Sequence, residues 1–480
     1  MAASVQKDKT PASTGSSSTF DLKKVLILLA AVAVYLIISN LPRPEGLSHE
    51  ALKSIAFIIS AVILWVTEVI PSAVVTCAAI MLMGLLKIVP TKEALSNFMI
   101  ATVVFVFAAF ILATGFVQTG LGRRVALKVS GMFGTRSDRV LLSYMLPTSI
   151  ISAVLADIPT AIIFAGIAHP ILQQNHCEPG KSNFGRAVMM GIPIAAAIGG
   201  FATPAGSGLN VLTISLLKST ANVDINFLQW TAIGFPVALI LTFIAWWIVL
   251  KFCPPEIDTV KGLEDVAKQR DELGPMTVRE KKFLAVFACA LVLWFTQPWN
   301  KIDTAVVAIL AAMALFLPGI DLLTWDDVKG RIGWDVLFLI GGANAVGMAL
   351  SSTGAASWIA SSLLGGLATA GVFVTLLVVT AWGIFSHYVI PVANATIAVS
   401  IPVLAALAVE MGINPALLAI PIGFTASCVF VLPLDPIPLV TYNYKYWTFG
   451  QMMKPGLVIS LVWLVIMACA MYLAQMIGII

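Results

Sequence analysis

Charge is what this sequence is short of. Only 11% of its 480 residues are Asp, Glu, Lys or Arg, where ordinary soluble domains carry roughly 25%, and so little polar surface cannot cover a water-soluble body of this length. The 28 basic and 24 acidic residues nearly cancel, leaving a formal charge of +4, too small to point to nucleic acid as a partner. The six cysteines (Cys77, Cys177, Cys253, Cys289, Cys428, Cys469) are scattered, mostly within apolar runs, with no Cys-x-x-Cys pair. Such spacing suggests neither a disulfide framework nor a metal site, and the thiols read as small apolar fillers. His-Glu-x-x-His, the Walker A pattern and a Gly-x-Ser-x-Gly elbow on a soluble domain are also absent, so the chain does not read as an enzyme.

What is there is apolar: 59% hydrophobic residues and a mean hydropathy of +0.97. Runs such as Lys24 to Pro42 and Gly456 to Ile477 have about the 20 residues needed to cross hydrocarbon. An all-α polytopic membrane protein is predicted. Eleven spans fall near 24–42, 52–70, 71–90, 100–120, 183–217 (broken), 229–252, 282–299, 302–319, 333–352, 412–444 (broken) and 456–478. Two further apolar regions, 138–174 and 370–408, are too long for one span and have polar or Pro-containing centres. Their arms of about 16 residues are short for a full crossing, so re-entrant hairpins are expected, with tips at Ala156 to Thr160 and Pro391 to Thr396.

Residues 1–22 are rich in Ser, Thr and Lys and are expected to be a disordered cytoplasmic tail. Lys23 and Lys24 precede an apolar run without a clear small-residue cleavage site, which reads as a first span rather than a signal peptide. The clusters Arg123, Arg124, Lys128, Arg136 and Arg139, then Lys329 with Arg331, then Lys445 with Lys454, fall on one side together with the charged stretch 254–282. By the positive-inside rule that side and the N-terminus are cytoplasmic. The stretch 254–282 reads as a solvated linker dividing the membrane region into 23–253 and 283–480.

The two divisions repeat each other. Leu64-Trp-Val-Thr67 matches Leu293-Trp-Phe-Thr296, Thr119-Gly120 matches Thr353-Gly354, Gly191-Ile-Pro lines up with Gly423-Phe-Thr, and Thr203-Pro204 with Asp435-Pro436. Each unit holds five spans and one hairpin, an odd count that places the second copy upside down. Inverted repeats with paired broken helices mark carriers that bind their substrate between the halves, because irregular backbone survives in a membrane only where it lines a cavity or is buried in protein.

Four segments therefore carry the candidate site: Ser152 to Thr160, Ile198 to Asn210, Ile390 to Thr396 and Ala426 to Pro438. Gly199, Gly200, Gly206 and Gly208 permit the second of these to unwind, so that its carbonyls can coordinate a small cation while the resumed helix turns its amides to an anion. Thr203, Ser207 and Asn210 lie among those glycines. Asp157 is a carboxylate at mid-membrane, costing about 2.5–3.5 kcal/mol on insertion scales unless it holds a cation, a proton or a partner. Asp435, set among prolines at the matching break, raises the same question, either as a ligand or as a helix breaker. Asn394, Thr396 and Ser427 offer neutral oxygens suited to Na+ and to a carboxylate or sulfate. His387 is a lone intramembrane histidine, more often packed than ligating.

At these residues the chain resembles the divalent anion:sodium symporter family. The resemblance covers nearly the whole chain from residue 24 and rests on Trp65-Val-Thr-Glu-Val-Ile-Pro71, Thr119-Gly-Leu-Gly-Arg-Arg124, the hairpin positions and Ile198 to Asn210. It implies secondary active transport of a small divalent anion, such as malate, succinate, 2-oxoglutarate or sulfate, with Na+ as coupling ion and no other cofactor. It also implies an elevator motion in which the hairpins and broken spans move against the spans before them, and a homodimer, here in a bacterial inner membrane.

The family places a Ser-Asn-Thr triplet at each tip. Here Ala156-Asp157-Ile158 and Val392-Ala393-Asn394 stand in those positions, and Leu439 stands where a Pro-Pro-Asn motif would end. The breaks and tips together give Asp157, Thr160, Thr203, Ser207, Asn210, Asn394, Thr396 and Asp435 as candidate substrate contacts, and Ser152, Asp157, Gly199, Gly200, Asn394 and Ser427 as candidate cation contacts. With most triplet side chains replaced, Na+ coupling, exchange without a coupling ion and proton coupling through Asp157 all remain open. A channel is the distant alternative.

Overall fold

The computed structural model describes residues 22–130, 132–390, 392–428, 430–431 and 436–480. The expected tail lies outside these residues but for Leu22, and Pro391 and Asp435 lie outside them as well. Among the described residues the chain is helical with no strand, and nine helices are long and apolar enough to cross a membrane. The remaining expected spans are built from the shorter apolar helices Ser72–Leu85, Thr304–Ala314 and Ala416–Ala426, the last ending at the second break, and from the 18-residue helix Val278–Phe295.

The first half comprises α1 (Leu22–Ser39), α2 (His49–Thr67), α3 (Ser72–Leu85), α4 (Thr91–Ser96), α5 (Ala101–Gln118), α6 (Leu121–Val129), α7 (Ser137–Leu155), α8 (Asp157–Gln174), α9 (Asn183–Phe201), α10 (Gly208–Ala221) and α11 (Phe227–Phe252). A short α12 (Leu263–Glu272) follows. The second half runs α13 (Val278–Phe295), α14 (Gln297–Asn300), α15 (Thr304–Ala314), α16 (Trp325–Lys329), α17 (Trp334–Ser352), α18 (Ala355–Ala368), α19 (Val372–Phe385), a 3-10 turn (Ser386–Tyr388), α20 (Ala393–Glu410), α21 (Ala416–Ala426), α22 (Pro436–Tyr442) and α23 (Phe449–Met476).

Apart from α1, α12 and α14 the two series correspond. Trp65 and Trp294, the tryptophans of the repeated motif, are both buried and both send their indole N–H to the start of the next membrane helix: to Thr76 Oγ1 at 3.2 Å and to the Thr304 carbonyl at 3.1 Å. Gly120 and Gly354 both adopt left-handed backbone, φ +83° and +79°, where the chain turns from a membrane helix into the short helix α6 or α18. A side chain at such a φ is disfavoured, which is why the repeated Thr-Gly pair reads so clearly in the sequence.

The halves also interlock. α3 packs on α17 and its counterpart α15 on α5; α20 packs on α10 and its counterpart α8 on α22; α11 lies on α7 and α9 as α23 lies on α19 and α21. Each half thus completes the other, and the hairpins α7–α8 and α19–α20 sit beside the breaks in α9–α10 and α21–α22.

The charged stretch between the halves is no free connector. The amide of Ser137 donates to the Asp258 carbonyl at 3.1 Å and that of Val260 to Thr135 at 2.8 Å, while Asn175 exchanges two 2.8 Å bonds with the backbone of Lys261. Glu256 accepts from the Ser182 hydroxyl and, at 2.7 Å, from the Phe184 amide at the start of α9. Burial pushes the Glu256 carboxyl up, but these hydrogen bonds outweigh it and hold the group below its usual range. The stretch therefore straps both bases of the first hairpin to α9. Farther on, Arg124 grips Glu280 at 2.7 and 3.0 Å and the carbonyls of Leu273, Gly274 and Pro275. A composition argument for solvation missed this because the bonds run through backbone atoms and two acids, Glu256 and Glu280.

Candidate functional site

The first hairpin turns in a single residue. Ala156 has φ +67° and ψ 152°, a region occupied almost only by glycine and costing about 1–3 kcal/mol for other residues. The tip is accordingly tighter than the sequence suggests, and Asp157 to Thr160 already form the first turn of α8. Asp157 Oδ1 accepts from the Ile158 amide at 2.8 Å, and the Thr160 hydroxyl donates to the Ala156 carbonyl at 2.8 Å.

The break behind this tip is held by side chains the sequence picks out. Ser152 donates to the Ala196 carbonyl at 2.6 Å, and Thr203 donates to the Ala153 carbonyl while accepting from the Ala205 amide at 3.1 Å. Asn210 sends both amide hydrogens back to the unwound stretch, to Gly200 and Thr203 carbonyls at 2.7 Å each. Ser207 caps α10 through the Leu209 amide. A methyl group at Gly199 would meet the backbone of Ser149, one at Gly200 the Asp157 carboxylate, and one at Gly206 the carbonyls of Gly200 and Ser152. Ser152, Asp157, Gly199, Gly200, Thr203 and Asn210 are thus brought together, and the glycines serve the close approach of hairpin to break.

The second tip is built differently. Asn394 and Thr396 lie in the first turn of α20, and Thr396 donates to the Ile390 carbonyl at 3.3 Å. Ser427 ends α21 at the second break, buried at 2% exposure. Asn394 Oδ1 and Ser427 Oγ are both buried with no hydrogen-bond partner, and so is Asn210 Oδ1 at the first break. Buried polar atoms left unpaired cost about 1–3 kcal/mol each, so three oxygens of this kind at the predicted segments are a sign of ligands to come. The two breaks are joined by Phe201 stacked on Phe424 at 5.0 Å and by Cys428 beside the Ala197 carbonyl at 3.8 Å.

No group of three or more His, Cys, Asp and Glu able to hold a metal occurs among the described residues. What the site offers a cation is oxygen, neutral apart from the Asp157 carboxyl, which suits Na+ over transition metals. What it offers an anion is the N-terminal ends of α8, α10 and α20, whose N–H groups and dipoles favour negative charge. An apolar cavity, with room for about one water, separates Leu155, Ala156 and Ala205 at the first tip from Phe105, Trp294 and Ala308. The strain at Ala156 and this apolar backing escaped sequence reasoning, since neither leaves a compositional mark.

The family described as "Sodium:sulfate symporter transmembrane region" matches residues 22–480. A sodium-dependent dicarboxylate transporter, SdcS, of Staphylococcus saprophyticus is 25% identical over 484 residues, covering 95% of this chain and 92% of that one. Its counterpart in Staphylococcus aureus is 26% identical, with 98% and 93% covered. A membrane protein of Cupriavidus necator is 27% identical over 462 residues, covering 91% and 89%. Among solved structures, the YdaH transporter of Alcanivorax borkumensis superposes with a TM-score of 0.53 at 14% identity, covering 95% of this chain and 98% of that one, a likeness of fold alone.

Proposed function

This chain belongs to the sodium:sulfate symporter family, and on that footing we propose that it is a sodium-coupled secondary transporter of a small divalent anion, most simply a C4 dicarboxylate. The observation that carries the proposal is the family match across the whole membrane region together with paired breaks that hold unpaired neutral oxygens and helix N-termini side by side. The similarity to two sodium-dependent dicarboxylate transporters supports the coupling ion and the substrate class.

In this reading Asn394, Ser427 and Asn210 supply oxygens to Na+ and substrate. Ser152, Gly199 and Gly200 contribute the backbone and hydroxyl surroundings of a first cation site, with Asp157 as its carboxylate. Thr160, Thr203, Ser207 and Thr396 hold the tips and breaks in shape around the anion, and Asp435 falls at the matching break. The bound cation lowers the cost of bringing a dianion among helix ends in low dielectric, which is why the two ligands are coupled. The hairpins with α9, α10, α21 and α22 move as one body against α2 to α5 and α13 to α17, and two copies assemble through the static body. The membrane is the bacterial inner membrane, with the N-terminus and the strap 254–282 on the cytoplasmic side.

The test is uptake of labelled succinate and sulfate into liposomes holding the purified protein. Accumulation under an inward Na+ gradient, abolished when Na+ is replaced by choline, is the expected result. Uptake that ignores Na+ but requires internal anion would overturn sodium coupling and establish exchange, the reading favoured by the replaced triplets at both tips.

A further inference from the structure

The second hairpin carries a small, mostly apolar cavity with two unpaired polar side chains in its lining, which the transport reading leaves unused. In the 3-10 turn between α19 and α20, His387 is buried at 4% exposure, with Nδ1 2.9 Å from the Gly383 carbonyl. A carbonyl only accepts, so Nδ1 holds the proton and Nε2 presents a lone pair. Nε2 has no hydrogen-bond partner, and neither has Ser460 Oγ, buried at 2% exposure on α23. Both residues line one cavity with Tyr388, Cys428, Phe430 and Val431, and the space open to a water's centre is about 10 Å³. That is room for about one water, and the two residues with unpaired polar atoms both belong to its lining.

The cavity lies under the second break. Cys428, Phe430 and Val431 follow α21 directly after Ser427, and a methyl group at Gly456 of α23, one turn before Ser460, would meet the Phe430 carbonyl. The titratable side chains that line it besides His387 are Tyr388 and Cys428; among the described residues α19, α20, α21 and α23 bring it no Asp, Glu, Lys or Arg. A proton on Nε2 would therefore stand as a positive charge without a counter-charge among the described lining residues, close to the break where a cation is to bind, and two like charges in low dielectric oppose each other strongly.

We propose that this cavity is a proton-binding site: it holds one water between His387 Nε2 and Ser460 Oγ, and His387 takes up a proton through that water in competition with the cation bound at the second break. The proton passes from solvent to the water and from the water to Nε2, giving an imidazolium, and returns by the same route; no other bond changes. The competition rests on sodium binding as proposed above, whereas the proton site does not.

The experiment is Na+-dependent thermal stabilisation of the purified full chain, with succinate-dependent stabilisation alongside, across a pH range bracketing histidine's ordinary titration near 6.5. In the wild type the Na+ midpoint should rise at least about threefold from the alkaline to the acid end, the sense required by proton competition. His387→Asn, whose amide retains a donor toward Gly383, should flatten that dependence. If this variant does not fold, Ser460→Ala should at least halve the rise by removing one anchor of the water. A wild type without pH dependence, or variants with an unchanged one, would overturn the proposal. If Na+ stabilises nothing at any pH, sodium coupling fails separately, and the proton site is judged on the pH dependence of succinate stabilisation: flattened in His387→Asn it stands, unchanged it falls.

Discussion

The two hairpins follow one plan but differ in how far their hydroxyls are engaged. Around the first, every hydroxyl singled out in the sequence already has a partner: Ser152, Thr160 and Thr203 all donate to backbone carbonyls of the hairpin or of α9. Around the second, Asn394 Oδ1, Ser427 Oγ, His387 Nε2 and Ser460 Oγ are buried and unpaired. At the first tip and break the hydroxyls are engaged in advance by backbone contact, with Asn210 Oδ1 left open, whereas the second tip and break leave more of their hydrogen-bonding capacity unmet. On the proposed function, that contrast suits a site in which the first break chiefly positions the anion and the second chiefly gains or loses the cation.

The largest expected effect breaks the rigid side. At Gly199 the helix lies against the Ser149 backbone, leaving no room for a methyl group, whereas the position 232 residues on in the repeat is Val431. Gly199→Ala should cost about 3 kcal/mol or more by overpacking, read as loss of the folded fraction in size-exclusion chromatography and of all uptake. A folded, active variant would show that the close approach is not required.

Next comes the demanding side. Asn394→Ala removes an oxygen that has no protein partner, so it should leave thermal stability without ligand nearly unchanged while raising the Na+ midpoint for uptake roughly 5- to 150-fold, the equivalent of about 1–3 kcal/mol. An equal loss of stability without ligand would mean that Asn394 serves the fold, as Asn210 does through its two carbonyl contacts.

The smallest effect tests the strain. Ala156→Gly permits the observed backbone and should recover part of about 1–3 kcal/mol, less the entropy that glycine loses on folding. A modest rise in melting temperature is expected, accompanied by slower uptake if the strained tip aids the return of the hairpin. A fall in melting temperature would remove strain from the account.

Much of this was legible in the residues alone. Thr119-Gly120 and Thr353-Gly354 mark the same left-handed turn in both halves, and Trp65 and Trp294 mark the same buried indole, because a backbone that demands glycine or a cavity that demands tryptophan leaves a repeated letter. The helix breaks were visible for the same reason. The strap was not: its hold on the first hairpin runs through the backbone of residues 257–261, which any side chain could accompany. Nor could His387 be told from a packed histidine, since that depends on its sharing a cavity with Ser460, 73 positions away in the chain.

Composition and the repeated motifs by themselves marked this chain as a membrane protein with two copies of one unit and singled out the breaks in both copies as the place to look for a ligand, because hydrocarbon admits irregular backbone only inside protein. Which oxygens at those breaks are satisfied and which stand open was decided only by the tertiary structure. A hydrogen bond is a matter of distance and direction between groups far apart in the chain, and the same Ser or Asn is a brace when a carbonyl lies within reach and a ligand when none does.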